Sequence, residues 1–562
     1  MTLETFFEKF DQLADAPDAV EKMRGLILRL AMQGKLSEPH KTDGPVSELL
    51  REVEKDKMRL GLESSAKATS GDSGSSDDET ADVIPASWTW VRFGNITRHN
   101  AGKTLDTGRN RGELRDYITT SNLYWGFFQL DAVRQMPMLD DELERCTAIK
   151  GDLLICEGGE AGRAAVWPHD REISFQNHVH RARFFAGINP YFVQRYFEKL
   201  NATGEIEKYR KGVGISNMSG KALASIPIPL PPLAEQKRIV AKVDELMALC
   251  DRLESQQQER EEQASKLARA SLARFADAPT PANLPFLFHP SYAISPADLR
   301  KSILTLAVQG KLVPQDPNDE PAEKLFVKLE SERRRFAEAH KFRAPVGEPM
   351  DDSSAPFAIP QSWKWCRLSS MFNAVTDGDH LPPPKSEAGI AFLTIGNITT
   401  GTLDFEGSRF VPDSYYRGLA DFRRPIQGDI LYTIVGATYG RPALVESNRP
   451  FCVQRHIAIL KPPQSVDVGF LMAVLRSPLT YNQASASTTG TAQPTIPLGS
   501  LRNFTAPLPP LAEQRRIVAK VEQLMALVDA LETQLAAARA TAANLLSALV
   551  AELTTSRLPA NP

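Results

Sequence analysis

Several short arrangements in this chain have residue types that could do chemistry, and each fails on its spacing. Gly102-Lys103-Thr104 has the tail of a phosphate-cradling loop, but the upstream glycine such a loop needs would fall at Thr97. Asn189-Pro190-Tyr191-Phe192 approaches the Asn-Pro-Pro-aromatic signature of amino-methyltransferases; the second proline is missing, and no glycine-rich cofactor loop follows a convincing strand. His178 and His180 straddle one residue, as metal ligands on a strand can, yet the matching place later in the chain holds only His456, so packing or hydrogen bonding is the better reading. Cys146, Cys156, Cys250, Cys366 and Cys452 include no Cys-x-x-Cys pair, which fits a reducing compartment and argues against a zinc site or disulfide framework. No Ser-His-Asp or Cys-His arrangement stands out, and the carboxylates are too dispersed to pair. The chemistry left to such a chain is binding.

The elements that must position binding residues come twice. Residues 230–254 and 508–532 are identical at 20 of 25 positions, at an offset of 278. Residues 24–36 return as 300–312, each with an Ala-x-Gln-Gly-Lys-Leu element, and residues 84–90, carrying Trp88 and Trp90, return as 359–365 with Trp363 and Trp365. Gly151-Asp152 answers Gly428-Asp429, Gly162-Arg163 answers Gly440-Arg441, and Gln176-Asn177-His178 answers Gln454-Arg455-His456. The chain is thus two half-molecules in tandem about a pseudo-two-fold axis, with a shared frame and different contents. The four tryptophans are expected as core anchors where each block begins.

Long helices are the strongest physical signal. Pro231-Pro232 and Pro509-Pro510 suit a helix start because proline's φ is already helical, and Glu235 and Glu513 place carboxylates in the first turn, favourable to the helix dipole. Apolar residues then recur in steps of four and three. The second copy runs Ile517, Val521, Leu524, Val528, Leu531, Leu535, Ala538, Ala542, Leu545, Leu549; the first runs Ile239, Val243, Leu246, Cys250, Leu253, the polar Gln257, then Ala264 and Leu267. This heptad seam predicts helices of about 40 residues, roughly 60 Å long, each needing a partner for its stripe. Two-fold symmetry inverts one helix relative to the other, so an antiparallel pair with a globular block near each end is expected.

A chain of 562 residues with 42% apolar content is too long for one core. No run approaches the roughly 18 apolar residues of a membrane span, and Glu4, Glu8 and Asp11 stand where a secretory signal would be basic and then apolar, so a cytoplasmic protein is expected. The net charge of -3 hides a division: residues 1–82 carry 11 basic and 18 acidic residues, while 83–228 carry 19 against 16 and 358–506 carry 13 against 10. That balance permits a local basic face on each block without establishing one. Short apolar runs at 117–120, 152–156, 391–395, 430–435 and 456–460, broken by glycine and proline, predict strands, and 190–200 and 468–476 predict short helices. The fold class is therefore mixed α/β, with two globular α+β blocks joined by two long antiparallel coiled-coil helices in a pseudo-two-fold tandem repeat. Residues 1–82 form a helical arm and acidic linker, 83–228 the first block, 229–278 the central long helix, 279–357 a linker and second arm, 358–506 the second block, and 507–562 the C-terminal long helix.

The Pro-Leu-Pro-Pro-Leu-Ala-Glu-Gln helix starts at Pro229 and Pro507, the block starts at Ile84 and Ile359, and the Gly-Asp-apolar-apolar strands at Gly151 and Gly428 together resemble the specificity subunit of a type I restriction-modification system. The resemblance covers almost the whole chain, in that family's order of target-recognition domain, spacer helix, target-recognition domain, spacer helix. It implies a subunit with no catalysis, cofactor or metal of its own, in which each target-recognition domain binds one half of an asymmetric bipartite site on double-stranded DNA and the helices set the spacing. It implies two methyltransferase subunits as partners, forming an adenine-N6 methyltransferase dependent on S-adenosylmethionine, and two motor-nuclease restriction subunits dependent on ATP and magnesium. The two Ala-x-Gln-Gly-Lys-Leu arms fit one branch of the family and would add helices to the scaffold or subunit contacts.

Under that implication, bases are read by Arg or Lys at guanine, Asn or Gln at adenine, and Ser, Thr or aromatic contacts elsewhere, beside phosphate-binding residues. Candidates in the first block are Arg98, Lys103, Arg109, Arg111, Ser121, Asn122, Tyr124, Trp125, Arg163, Gln176, Asn177, Lys211, Ser216 and Asn217. In the second they are Lys385, Thr394, Asn397, Thr399, Thr433, Tyr439, Arg441, Gln454, Arg455, Thr488, Thr489, Thr491 and Gln493. The shared pairs Asn122/Asn397, Arg163/Arg441 and Gln176/Gln454 are expected at the DNA backbone or in the fold, because the two copies read different sequences. Two rival readings remain: a coiled-coil adaptor for protein partners without DNA specificity, and an enzyme with dispersed catalytic residues.

Overall fold

In the computed structural model, which describes residues 16–62, 83–106, 111–212, 216–278, 282–283, 286–287, 289, 292–342, 350, 355–380, 383–398, 401–490 and 493–555, each block opens and closes on one two-stranded ladder. The predicted acidic linker and the candidates Arg109, Thr399 and Thr491 lie outside the described residues. Thr89–Arg92 pairs antiparallel with Pro227–Leu230, and Lys364–Arg367 with Thr505–Leu508, placing Trp90 opposite Pro229 and Trp365 opposite Pro507. Proline cannot donate to a ladder and needs an edge, which a two-stranded pairing leaves. The returning strand then runs straight into a long helix.

Between the closing strands each block holds two further sheets of corresponding topology, and the first adds a short ladder of Gly158–Gly159 with Ser216–Asn217. The larger is antiparallel, ordered Thr97–Ala101, Val179–Phe184, Leu153–Cys156, Ala164–Val166 in the first block and Ala374–Asp377, Ile457–Lys461, Ile430–Thr433, Pro442–Leu444 in the second. The other is built on a parallel pair, Glu113–Ile118 with Ile173–Phe175 and Ile390–Leu393 with Phe451–Val453, flanked by Arg134–Met138 or Arg409–Val411. Leu153–Cys156 and Ile430–Thr433 are buried throughout, the reason they read as unbroken apolar runs. Helix Pro190–Ala202 begins with proline in its first turn and the Asn189 side chain accepting from the Tyr191 N–H at 3.0 Å; Val468–Arg476 uses Asp467 on the Phe470 N–H at 3.3 Å.

The chain divides into two compact units, one of Met1–Glu259 with Ala538–Pro562 and one of Arg260–Ala537. The long helices, Leu233–Asp277 and Leu511–Thr555, each run 45 residues. Their first-turn Glu-Gln pairs are wholly buried. Gln236 accepts from the Asn189 N–H at 2.9 Å and donates to the Pro231 carbonyl at 2.8 Å, while Gln514 serves Asp467 and Pro509 at 3.0 and 2.9 Å. Burial raises the Glu235 and Glu513 carboxyls above their ordinary range, opposed by hydrogen bonds such as the Trp363 indole N–H to Glu513 at 2.8 Å. Trp88 and Trp363, which stand just before the strands, are the expected anchors; Trp90, 38% exposed, and Trp365, half-buried, are not, and lie on the two-stranded ladders opposite Pro229 and Pro507.

The apolar seam is buried as predicted at Ile239, Val243, Leu246, Cys250, Ile517 and Val528, but not to its end. Leu267 and Leu545, which occupy matching positions, are 50% and 52% exposed, and Ala538 is exposed; Ala268, Ser271, Leu546 and Leu553 are buried instead. An α-helix drifts by about 20° per heptad against a 3.5-residue repeat. Over four or so heptads the drift approaches the ~100° between neighbouring residues, so both stripes move by one position.

The arms are held by the same contacts in both units. Arg24 pairs with Asp251 at 2.6 Å and Glu254 at 2.8 Å, and Arg300 with Asp529 and Glu532 at 2.6 Å each. Exposed pairs of this kind contribute about 0–1 kcal/mol and chiefly set register. Arg238 holds the Asp43 carboxyl down at about 2 through a 2.7 Å pair, and Arg516 pairs with Asp319 at 2.6 Å. The lysine of each Ala-x-Gln-Gly-Lys-Leu element caps a helix C-terminus, where carbonyls lack partners and the dipole is negative. Lys35 donates to the Leu553 and Thr554 carbonyls at 3.2 and 3.0 Å, and Lys311 to the Ala276 carbonyl at 2.8 Å. In each unit the arm of one repeat therefore caps the long helix of the other. Among the described residues no helix is long and apolar enough to cross a membrane.

Candidate nucleic-acid interface

Four segments converge beyond the strands of each block. In the first they are residues 119–127, 157–163, 176–178, and 211–212 with 216–217. Glu157 donates its N–H to the His178 carbonyl at 2.8 Å, Met218 to that of Glu157 at 2.7 Å, and Ala161 to the Ser216 hydroxyl at 3.4 Å; the Arg163 guanidinium reaches the Thr120 carbonyl. In the second block residues 394–398, 434–441, 454–456, and 489–490 with 493–495 meet in the same way. Ile434 donates to the His456 carbonyl at 3.1 Å, Gly436 to Pro494 at 2.9 Å and Gln454 to Leu393 at 3.0 Å. Glycine is required at Gly102 and Gly378, where a Cβ would lie 2.1 Å from the Phe175 or Val453 carbonyl oxygen. That approach sets Lys103 beside Gln176 and Asp379 beside Gln454 as matching parallel bridges.

The structure divides the predicted residues into those that hold the loops and those that face outward. Lys103, Asn122 and Thr433, expected at DNA, have polar atoms that are buried and already bonded within the protein. Lys103 donates to the Pro137 carbonyl at 3.0 Å and to Glu142, whose carboxyl is held low by the Leu139 N–H and by this lysine. Asn122 accepts from the Thr119 N–H and hydroxyl at 3.1 and 3.0 Å, and Asn397, half-buried, repeats this on Thr394 at 2.9 Å for each bond. Thr433 donates to the Thr438 carbonyl at 2.6 Å and accepts from the Arg441 N–H at 3.0 Å. Arg163, largely buried, lies 5.0 Å from the Tyr124 ring and pairs with Glu160 at 3.2 Å; Trp125, half-buried, donates to the same carboxylate at 2.6 Å.

Outward lie Arg111, Ser121, Lys211, Asn217, Lys385, Arg441, Arg455, Thr489 and Gln493, all exposed, with Gln176, Asn177, Ser216, Thr394, Tyr439, Gln454 and Thr488 half-buried among them. Arg98 is also exposed but stands apart, near the far end of its strand, paired with Glu144 at 3.3 Å. Sequence reasoning missed Arg134 and Arg409. They stand opposite Tyr117 and Phe392 in equivalent ladders, are exposed, and have no carboxylate partner among the described residues. Each follows its ladder partner by 17 residues, but the residues between differ in type, so the shared spacing alone did not mark the pair. Asp379 and His380 were missed too: they line a cleft of about 610 Å³ with Lys385, Arg409, Arg455 and His456.

The histidines do not converge on a metal. His178 is exposed while His180 is buried, and among the described residues no group of three or more His, Cys, Asp or Glu could hold an ion. All five cysteines are free and buried.

The sequence has parallels among known proteins. The family model for the type I restriction modification DNA specificity domain matches residues 87–263 and again 360–538. The chain is 26% identical over 565 residues to the type I restriction enzyme EcoAI specificity subunit of Escherichia coli, covering 94% of this chain and 93% of that protein. It is 26% identical to the EcoEI specificity subunit of the same species, with the same coverage of 94% and 93%. The crystal structure of the HsdS subunit from Thermoanaerobacter tengcongensis aligns over 85% of this chain and 98% of its own at 20% identity, with a TM-score of 0.42. With two copies of its defining domain in tandem, the chain belongs to the type I restriction-modification DNA specificity family.

Proposed function

We propose that each block binds one half of an asymmetric bipartite site on double-stranded DNA through its four converging segments. The observation that carries this is the same loop scaffold built twice, with Asn122 and Asn397 shared inside it and most, though not all, of the outward positions changed. Two such readers on one frame suit a duplex whose half-sites differ. The long helices pair antiparallel and set the half-site separation; the joint burial of Ile239, Val243, Leu246, Cys250, Leu546 and Leu553 in the first unit's core supports that pairing. Two methyltransferase subunits that use S-adenosylmethionine, and two restriction subunits that use ATP and magnesium, are the partners this reading requires. The chain supplies specificity and no catalysis.

Exchange of residues 83–228 for the matching block of a relative tests the reading. Sequencing of methylated adenines, in cells also supplied with the methyltransferase subunit, is expected to show one half of the modified motif changed and the other kept. Change in both halves, or in neither, would falsify it.

Arg134 and Arg409, shared and outward, are proposed at phosphates. In the assembled methyltransferase, Arg409→Ala is expected to weaken binding to all duplexes alike and to reduce the slope of log affinity against log salt by about 1. A loss confined to particular sequences would place Arg409 at a base instead.

A further inference from the structure

Resting on that reading, we propose that the middle residue of one turn, Asn177 in the first block and Arg455 in the second, selects a base in each half-site: adenine for the first block and the guanine of a G·C pair for the second. The two turns are the same piece of backbone. Each lies between a glutamine and a histidine, and each closes through one N–H to carbonyl bond, Val179 to Gln176 at 2.9 Å and Ile457 to Gln454 at 3.0 Å. Each is tied through its histidine carbonyl to the neighbouring hairpin, and through its glutamine to Lys103 or Asp379. Six backbone contacts therefore hold the pair of turns in one conformation, and only the middle side chain changes.

Both middle side chains keep their recognition atoms unspent. Among the described residues the Asn177 amide makes no side-chain hydrogen bond, its N–H alone being engaged, to the Lys103 carbonyl at 2.9 Å. Among the described residues Arg455 uses only Nε, on His456 at 3.4 Å, and neither terminal amino group is bonded. An asparagine amide offers a donor and an acceptor side by side, which match N7 and N6–H of adenine; two arginine N–H groups match O6 and N7 of guanine. The neighbouring position changes in the same sense. Lys103 is buried against Glu142, whereas Asp379 is half-buried, accepts from the Tyr415 hydroxyl at 3.1 Å and lines the same cleft as Arg455. A carboxylate there can accept from the cytosine N4 amino group opposite the guanine.

The test uses the chain assembled with its methyltransferase subunits, wild type against Arg455→Asn and Asn177→Arg. Methylated-site sequencing is expected to show that Arg455→Asn alters one position, a guanine in the half-site read by residues 358–506, and that Asn177→Arg alters one adenine in the other half. In binding assays, 7-deazaguanine, which lacks the N7 acceptor, is expected to weaken the wild-type complex roughly tenfold at that one position, and to have no further effect on Arg455→Asn. That series decides the matter even if a variant loses all methylation. A second-block half-site without guanine, an unchanged motif in both variants, change in both halves at once, or indifference to 7-deazaguanine at every guanine overturns the assignment. The block exchange separates the two levels. If it redirects one half while the turn variants redirect nothing, the turn assignment falls and the function stands; if it also redirects nothing, both fall.

Discussion

Leu546→Ala lowers the stability of the first unit by about 2–5 kcal/mol, although residue 546 lies at the far end of the chain. Leu546 is wholly buried and shares one core with Leu26, Leu30 and Ile27 of the arm helix and with Val243, Leu246 and Cys250 of the first long helix. Removing its methyl groups leaves a cavity that two helices and an arm, each pinned elsewhere by ion pairs and the Lys35 cap, can close only in part. The neighbouring Leu545→Ala is the control: at 52% exposure it is expected to stay within about 0.5 kcal/mol of wild type. Hydrogen exchange reads the outcome directly, as faster exchange in Ala19–Met32 and the first turns of Leu233–Asp277 for the first variant only. A larger effect from Leu545→Ala would return the seam to its strict heptad phase and sink the drift explanation.

Acid is expected to unfold the first block before the second. His180 is buried, and its two ring nitrogens make no hydrogen bond among the described residues. Burial, with repulsion from His99, pushes its imidazole down to about 4 from 6.5, and the Glu157 carboxylate 3.6 Å away does not restore it. Between those values the unfolded chain binds a proton that the folded block refuses. The contribution to stability is therefore intact above pH 6.5 and is lost as pH falls from 6.5 toward 4, amounting to about 2 kcal/mol at pH 5. In the second block Ala458 occupies this place, opposite Tyr432 as His180 is opposite Ile155. Calorimetry at pH 7 and pH 5 should show the first-block transition moving down in wild type and holding its place in His180→Gln. Equal acid sensitivity in that variant would assign the effect to other groups.

Much of this molecule is legible from its residues because the repeat states it twice. The strands at 430–433 and 457–461, the helix Val468–Arg476 and both long helices fall where apolar runs, glycines and prolines place them. Local propensity and burial agree at these positions, so a one-dimensional pattern suffices. The interface is less legible. Lys103, Asn122 and Thr433 have the right chemistry for DNA but are consumed by Glu142, Thr119 and Thr438, partners that only folding brings near. Arg134 and Arg409 went unnoticed because, although each follows its ladder partner by 17 residues, the residues between differ in type and only the strand pairing shows that the two arginines correspond.

By itself, then, the sequence determined the duplication, the family, the order of blocks and helices, and the length of each long helix, since all of these follow from repeated or periodic residues. Only the tertiary structure decided which polar groups remain free to meet DNA and where the buried stripe lies at the end of each helix. Both depend on what packs against a residue from elsewhere in the chain. The first is settled by which donors and acceptors are already satisfied, the second by the 3.6-residue turn of a helix that a seven-residue pattern cannot follow for long.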